Sequence, residues 1–210
     1  MKKSLLSTFT FCLMILSQAY AFVSTEIQNM GVGVVDCPEA SLRCIYMPSY
    51  SFDHAINAGE QIVLNDGSIW SIGWWWQNIA SRWDKDDIIK LSYHSDSSYN
   101  FIKIENVSRN EEAWGNALVE PDALNPNCIW IANIEVKSLI VLNNGMTFKV
   151  KSSYWVNKFN WEPGDLITIL ISEDKSHPYA LYNHTKNSIL IKAKLQQYPI
   201  GIMTPMATTR

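Results

Sequence analysis

An internal duplication constrains this chain more than any other feature of its sequence. Residues 62–67, IVLNDG, return 78 residues later as IVLNNG at 140–145, identical at five of six positions. The two copies align without a gap from 62–101 against 140–179, with ten identities in forty pairs. A repeat of this period indicates two similar structural units built one after the other.

The first 21 residues have the pattern of a secretory signal peptide. Lys2 and Lys3 precede an apolar run from Leu5 to Leu16, and Ala19-Tyr20-Ala21 supplies an A-x-A cleavage site. The short Met-Lys-Lys start is typical of bacterial leaders, so we expect a periplasmic or secreted protein. The apolar run is too short for a stable membrane span, and no later segment is longer.

Composition and charge narrow the class of protein and of partner. The chain is 47% hydrophobic and 18% charged, which is typical of a folded domain. Without the leader, 15 basic residues stand against 20 acidic ones, a net charge of −5. This acidic balance, with no basic cluster along the sequence, argues against nucleic acid as a partner. No cofactor-binding or metal-binding motif is present, and no cofactor is expected.

The repeat also sets the expected domain organisation. After the signal peptide at 1–21 come an N-terminal segment (22–56), module one (57–118), a linker (119–134), module two (135–195) and a flexible tail (196–210). Each module has about five short strands of period two with turn residues between them. We therefore predict an all-β protein of two tandem five-stranded barrels of the SH3-like or OB-like kind. The alternative is a single ten-stranded β-sandwich.

Residues shared by both copies are expected to serve the scaffold. Trp83 and Trp161 each precede a polar turn and a strand, and we expect them to close the end of a core. Asp87 and Asp165 are expected to hydrogen-bond the backbone of that turn. The sequons at Asn106 and Asn183 are interpreted as turns, with the following Arg109 and Lys186 directed to solvent. Asn144-Gly145 favours a type I′ hairpin turn.

The shared pattern reads LxDGSxW, WxxGDxI and YxLxN, carried by residues Leu64 to Trp70, Trp161 to Ile167 and Tyr179 to Asn183. It resembles a repeat of small exported bacterial proteins of unknown function. Module one departs from this pattern at Asp86, where the repeat has glycine. The resemblance implies a β-rich module and no particular activity.

Trp74-Trp75-Trp76 is peculiar to module one, since module two has Ser152-Ser153-Tyr154 at these places. Three consecutive large aromatic residues cannot all face one side of a strand, so at least one is expected to be exposed. They either fill the seam between modules, form a platform for a ligand, or contact a membrane. Trp155 is a candidate for a similar part in module two.

Three cysteines remain after the leader is removed. Cys37 and Cys44 are expected to form a local disulfide in an oxidising compartment, which leaves Cys128 over. The alternative is a bridge from Cys128 back to Cys37 or Cys44.

No catalytic residue is predicted. The chain has no G-x-S-x-G or H-E-x-x-H motif, and the four histidines lie in expected loops or turns, at the surface. Glu111 and Glu112 are adjacent, and adjacent side chains of a strand point apart, which argues against a glycosidase pair. The expected function is non-catalytic binding of an unidentified protein or glycan. The alternatives are a structural, self-associating envelope protein, such as a homo-oligomer, and a hydrolase without a linear motif.

Overall fold

The computed structural model describes residues 35–36 and 45–46 by their backbone, and residues 49–94, 102–135, 138–152, 156, 159–186 and 189–197 in full. Residues 1–21, the predicted signal peptide, lie outside these residues, as do Cys37, Cys44, Trp155 and residues 198–210. The first two residues of the predicted tail, Gln196 and Gln197, belong to β14. Within them the protein is all-β. Its strands are β1 Val35–Asp36, β2 Ile45–Tyr46, β3 Tyr50–Ile56, β4 Gln61–Leu64, β5 Ile69–Ile72, β6 Ile88–Tyr93, β7 Ile102–Asn106, β8 Glu111–Val119, β9 Ile131–Glu135, β10 Leu139–Leu142, β11 Thr147–Val150, β12 Ile167–Ser172, β13 Tyr179–Asn183 and β14 Ile189–Gln197.

Strands β3 to β8 form a closed barrel of six strands, called here the first barrel. The order is β3-β4-β5-β8-β7-β6, and β3 closes it by pairing with β6 at Tyr50–Ile89 and Ser51–Ile88. Between β5 and β6 lie a 3-10 turn at Trp74–Trp76 and a single-turn helix, α1, at Gln77–Ala80. β1 and β2 form a separate antiparallel pair.

The other six strands, called here the second strand set, follow the same order, β9-β10-β11-β14-β13-β12. β9 approaches β12 through an isolated bridge between Trp130 and Leu166. The two parts are joined where β6 runs parallel to β12, at Ser92–Ile171 and Tyr93–Ser172. All twelve strands therefore belong to one continuous sheet.

The prediction of two five-stranded barrels is not confirmed, because the first barrel has a sixth strand, β3. This strand lies in the N-terminal segment at 22–56, and its counterpart β9 begins in the linker at 119–134. The repeated asparagine of the IVLN stretch holds both. Asn65 donates its N–H to the Ser51 carbonyl at 2.8 Å and accepts the Ser51 N–H at Oδ1 at 3.1 Å. Asn143 makes the same two bonds with Trp130, at 3.0 and 3.2 Å.

The hairpin turns differ from the predicted type I′. Each has a three-residue loop, in which the glycine N–H bonds the carbonyl of Leu64 or Leu142 at 2.9 Å. Within each loop only the glycine has a positive φ, 85° at Gly67 and 83° at Gly145. A type I turn followed by a left-handed glycine has this geometry, whereas type I′ needs two positive φ values.

A buried polar chain explains the DGSxW part of the pattern. The Asp66 carboxylate accepts the Ser68 hydroxyl at 2.6 Å, and that hydroxyl accepts the Trp70 indole N–H at 2.9 Å. Burial raises the pKa of Asp66 against the opposing effect of these bonds. In the second copy Met146 and Phe148 replace the serine and the tryptophan together. Replacing both partners by apolar groups avoids leaving either polar atom unpaired.

The turn after Trp83 and Trp161 is held by one network in both copies. Both tryptophans are buried, as predicted. The Asp87 carboxylate accepts the Asn106 amide at 2.7 Å, and Asp165 accepts the Asn183 amide at 2.8 Å. Both carboxylates also accept a backbone N–H of their turn, from residues 84 and 162 at 3.0 Å, which confirms their predicted role.

Arg109 is exposed, as predicted, and Lys186 is half-buried, but both cations also form ion pairs. Arg109 pairs with Asp84 and Asp87, and Lys186 pairs with Glu162 and Asp165. Each cation thus links the less exposed aspartate of its turn to a more exposed carboxylate of the same turn.

The two copies differ in the outward face of their central strands. In β6 and β7 this face carries Lys90, Ser92, Lys103 and Glu105, with Glu105 2.8 Å from Lys90 and 3.0 Å from Lys103. The matching positions of β12 and β13 are Thr168, Leu170, Ala180 and Tyr182, all buried. Leu170, Ala180 and Tyr182 belong to the core of the first barrel, where Tyr182 contacts Trp70 with ring centroids 6.1 Å apart.

Candidate functional site

The candidate site lies at the turn that follows β5. Gly73 donates its N–H to the Trp114 carbonyl of β8 at 2.9 Å and so extends the β5–β8 ladder by one residue. A Cβ at Gly73 would lie 2.9 Å from the ring of Trp76, so glycine is required for this packing. The chain then enters the 3-10 turn of Trp74, Trp75 and Trp76.

The three tryptophans separate into one packed ring and two exposed ones. Trp76 is partly buried and packs against the core of the first barrel. Trp74 and Trp75 are 66% and 68% exposed. Their rings stack on each other with centroids 3.4 Å apart and planes inclined by 30°. The exposure of Trp74 and Trp75 disfavours the expectation that they fill a seam between modules.

Trp114, which the sequence did not single out, continues this aromatic surface. It lies on the outward side of β8, 6.5 Å from Trp76 and 5.2 Å from the His94 ring by centroid. His94 Nδ1 lies 2.6 Å from a carboxylate oxygen of Glu173, which follows β12. The alternation of β8, with Ala113 and Gly115 buried, was the signal that could have placed Trp114 outward.

Glu111 and Glu112 diverge, as expected for neighbours in a strand. Glu111 accepts the Trp83 indole N–H at 2.9 Å, whereas Glu112 lies 2.7 Å from Lys103 on the other side of the sheet. A groove of about 270 Å³ beside them is lined by Lys90, Glu105, Asn106, Val107, Asn110, Glu111 and Glu112. Burial acts to raise the pKa of Glu105, but Lys90 and Lys103 hold it below its ordinary value. Glu105 is therefore an anion in a surface ion network.

His184, which was predicted at the surface, is half-buried. The ring of His184 packs against Trp70 and Tyr182, and its Nε2 lies 2.7 Å from the Thr168 hydroxyl. Burial lowers the pKa of His184 to about 4. The ring is therefore neutral at physiological pH, and its site is structural.

Cys128 is a free thiol and is buried. Burial, with Asp66, Asp122 and Glu120 nearby, raises its pKa to about 11, so the thiol is a poor nucleophile. The alternative bridge from Cys128 is thus not formed. The predicted Cys37–Cys44 disulfide lies outside the described residues and stays a prediction. The residues next to these cysteines, Asp36 and Ile45, are paired between β1 and β2.

Among the described residues, no group of three or more His, Cys, Asp and Glu side chains is arranged to hold a metal ion. No helix in the same part of the chain is long and apolar enough to cross a membrane. No protein-family model, curated protein or solved structure matches this chain.

Proposed function

We propose that this protein is an exported, non-catalytic binding protein that contacts a glycan through Trp74 and Trp75. The observation that carries the proposal is the stacked, two-thirds exposed pair of indole rings on a short turn. Large aromatic side chains are costly to leave in water, and exposed aromatic surface commonly marks a contact site. The outer face of each ring is flat and apolar, which suits the face of a sugar ring.

The position of the turn supports a rigid site. Trp76 anchors it to the core, and Gly73 ties it to the β8 ladder. The side chain of Gln77 donates to the Ile72 carbonyl at 3.2 Å and fixes the end of the turn. Beside it Asn78 is exposed and offers an amide to a ligand hydroxyl. A platform held in this way pays little ordering entropy when it binds.

The test compares wild type with a Trp74→Ala, Trp75→Ala double variant on neutral glycan and peptide arrays. Trp130→Ala, which removes another exposed tryptophan, is the matched control. We expect a glycan ligand that the double variant loses and the control keeps, with thermal unfolding unchanged. A ligand retained by the double variant contradicts the proposal. Binding of peptides alone assigns the platform to a peptide.

The same variant addresses self-association. If Trp74 and Trp75 instead pack against a second copy, wild type sediments as an oligomer and the double variant as a monomer. In that case acrylamide quenches the fluorescence of Trp74 and Trp75 only in dilute wild-type protein, where the oligomer dissociates.

A further inference from the structure

The fold assembles a cluster of lysines that cannot be seen in the sequence. Lys149 lies on β11 and Lys151 just beyond it, while Lys192 and Lys194 lie on the neighbouring strand β14. Lys149 and Lys194 are directly paired across the strands, and Lys151 donates its N–H to the Lys192 carbonyl at 3.0 Å. We call these four residues the lysine face.

All four side chains lie on the outward side of the sheet. They alternate with the buried Phe148, Val150, Ile191 and Ala193. Lys149, Lys151 and Lys194 are exposed, and Lys192 is 28% exposed. Among the described residues the ion pair of this face is that of Lys192 with Asp174, at 3.7 Å.

This arrangement costs the folded protein stability. Like charges placed directly opposite each other on two strands destabilise the pair. In the first barrel the matching positions carry Ser71, Gly73, Trp114 and Asn116, none of which is charged. The fold therefore does not need the lysines, and the chain is acidic overall. A cluster in which three of four lysines have no ion pair among the described residues indicates an anionic partner.

A groove at one end of the lysine face narrows the class of partner. It has a volume of about 450 Å³ and is lined by Tyr93, Lys151, Phe159, Ile189, Leu190, Ile191 and Lys192. Two lysines and two aromatic residues thus line one concave place beside β6 and β14. Apolar clefts with a few converging polar groups are the usual form of small-ligand sites.

We propose that the lysine face and its groove bind an acidic polysaccharide, a chain of sugars that carry carboxylates or sulfates. The lysines pair with the anionic groups, and the rings of Tyr93 and Phe159 receive a sugar face. Domains that bind nucleic acid are typically basic overall, whereas this chain is acidic. Four lysines on two strands fit a partner that presents a few charges on an otherwise neutral chain.

The test uses protein purified after expression from its complete coding sequence. Binding to polygalacturonate is measured by calorimetry at low and high salt, beside neutral dextran, a single-stranded DNA oligonucleotide and phosphatidylglycerol vesicles. The variants are Lys149→Gln/Lys194→Gln and Lys151→Gln/Lys192→Gln. Lys85→Gln/Lys175→Gln is the control, since it removes the same charge from exposed positions outside the face.

We expect polygalacturonate to bind, salt to weaken the binding, and each lysine-face variant to lose roughly tenfold in affinity while the control stays at wild type. The Trp74→Ala/Trp75→Ala variant should keep this affinity, which separates this site from the glycan platform. Equal loss in the Lys85/Lys175 control overturns the proposal. So does a lack of binding, equal binding of dextran, or tighter binding of the oligonucleotide or the vesicles. If the variants melt at the same temperature as wild type or higher, the loss of affinity is not caused by unfolding.

Discussion

The hydroxyl of Tyr50 takes the place of a neighbouring strand along Ile169. It accepts the Ile169 N–H at 2.9 Å and donates to the Ile169 carbonyl at 3.3 Å, and all these atoms are buried. Before this point Leu166 pairs with Trp130, and after it Ile171 of β12 pairs with Ser92 of β6. One side chain of β3 therefore satisfies the edge of β12 where no strand pairs with it.

We expect Tyr50→Phe to lower the free energy of unfolding by about 2–3 kcal/mol, because it leaves a buried N–H and C=O unpaired. For a domain of this size that corresponds to a fall in melting temperature of roughly 5–10 °C. Thermal unfolding followed by circular dichroism measures it. Tyr93→Phe, a change of the same chemistry on β6, is the control. Equal melting of the two variants would contradict this role of the hydroxyl.

His184 gives the protein a specific sensitivity to acid. The unfolded chain takes up a proton at this histidine near pH 6.5, whereas the buried ring does so at about 4. The free energy of unfolding therefore falls as pH drops through this window, by roughly 3 kcal/mol in total. Urea unfolding at pH 7 and pH 4 measures the fall.

The variant His184→Gln keeps a hydrogen-bonding amide beside Thr168 but has no group that titrates there. Its free energy of unfolding should therefore lack the roughly 3 kcal/mol fall that His184 causes. The raised pKa of Asp66 acts in the opposite direction but is common to both proteins, so it cancels in the difference. His54→Gln, at an exposed ring, is the control. An identical pH profile for wild type and His184→Gln would show that His184 is not the group responsible.

The turn before β6 contains a strained residue that its duplicate avoids. Asp86 has a φ of 71°, and its counterpart Gly164 has a φ of 97° with open space around it. Because a Cβ is unfavourable in the left-handed region, Asp86→Gly should stabilise the protein by about 0.5–1 kcal/mol and Gly164→Asp should destabilise it similarly. Asp86→Ala removes the charge but keeps the Cβ. If it stabilises as much as Asp86→Gly, the charge and not the backbone is the cause.

Among the described residues, none accepts the buried indole N–H of Trp161. Its counterpart Trp83 donates to Glu111 at 2.9 Å, and the residue equivalent to Glu111 is Ile189. We expect Ile189→Glu to supply an acceptor for this N–H. Because Ile189 also packs against the core of the second strand set, its loss offsets the new bond, and the free energy of unfolding should change by less than about 1 kcal/mol. The Trp161 indole proton should shift downfield in the NMR spectrum. A destabilised variant with an unmoved indole resonance would refute the equivalence.

Much of the β-structure could be predicted because the duplication repeats its turns. β3 and β9 were missed, since they lie outside the duplicated stretches 62–101 and 140–179 and share little sequence with each other. β3 also has a register shift between Phe52 and His54, which breaks its period of two. β9 is an edge strand with mostly exposed or half-buried side chains, so its alternation is weak.

The candidate sites were predictable only in part. Consecutive tryptophans stand out in any sequence, but the 3-10 turn that exposes Trp74 and Trp75 and packs Trp76 was not predicted. The lysine face joins partners 41 and 45 positions apart in the chain, so it depends on the pairing of β11 with β14. His184 was placed at the surface because it follows a strand, whereas the docking of β13 on the first barrel buries it.

The unlike faces of the two copies determine how far this architecture can be extended. β12 and β13 dock through Leu170, Ala180 and Tyr182, but β6 and β7 present Ser92, Lys103 and Glu105 at the same places. A further copy added ahead of the first barrel would find ion pairs where it needs an apolar surface. Repeat proteins end their arrays with polar terminal units of this kind. The β6–β7 face of the first barrel has this polar character, so it gives a third copy no apolar surface on which to stack.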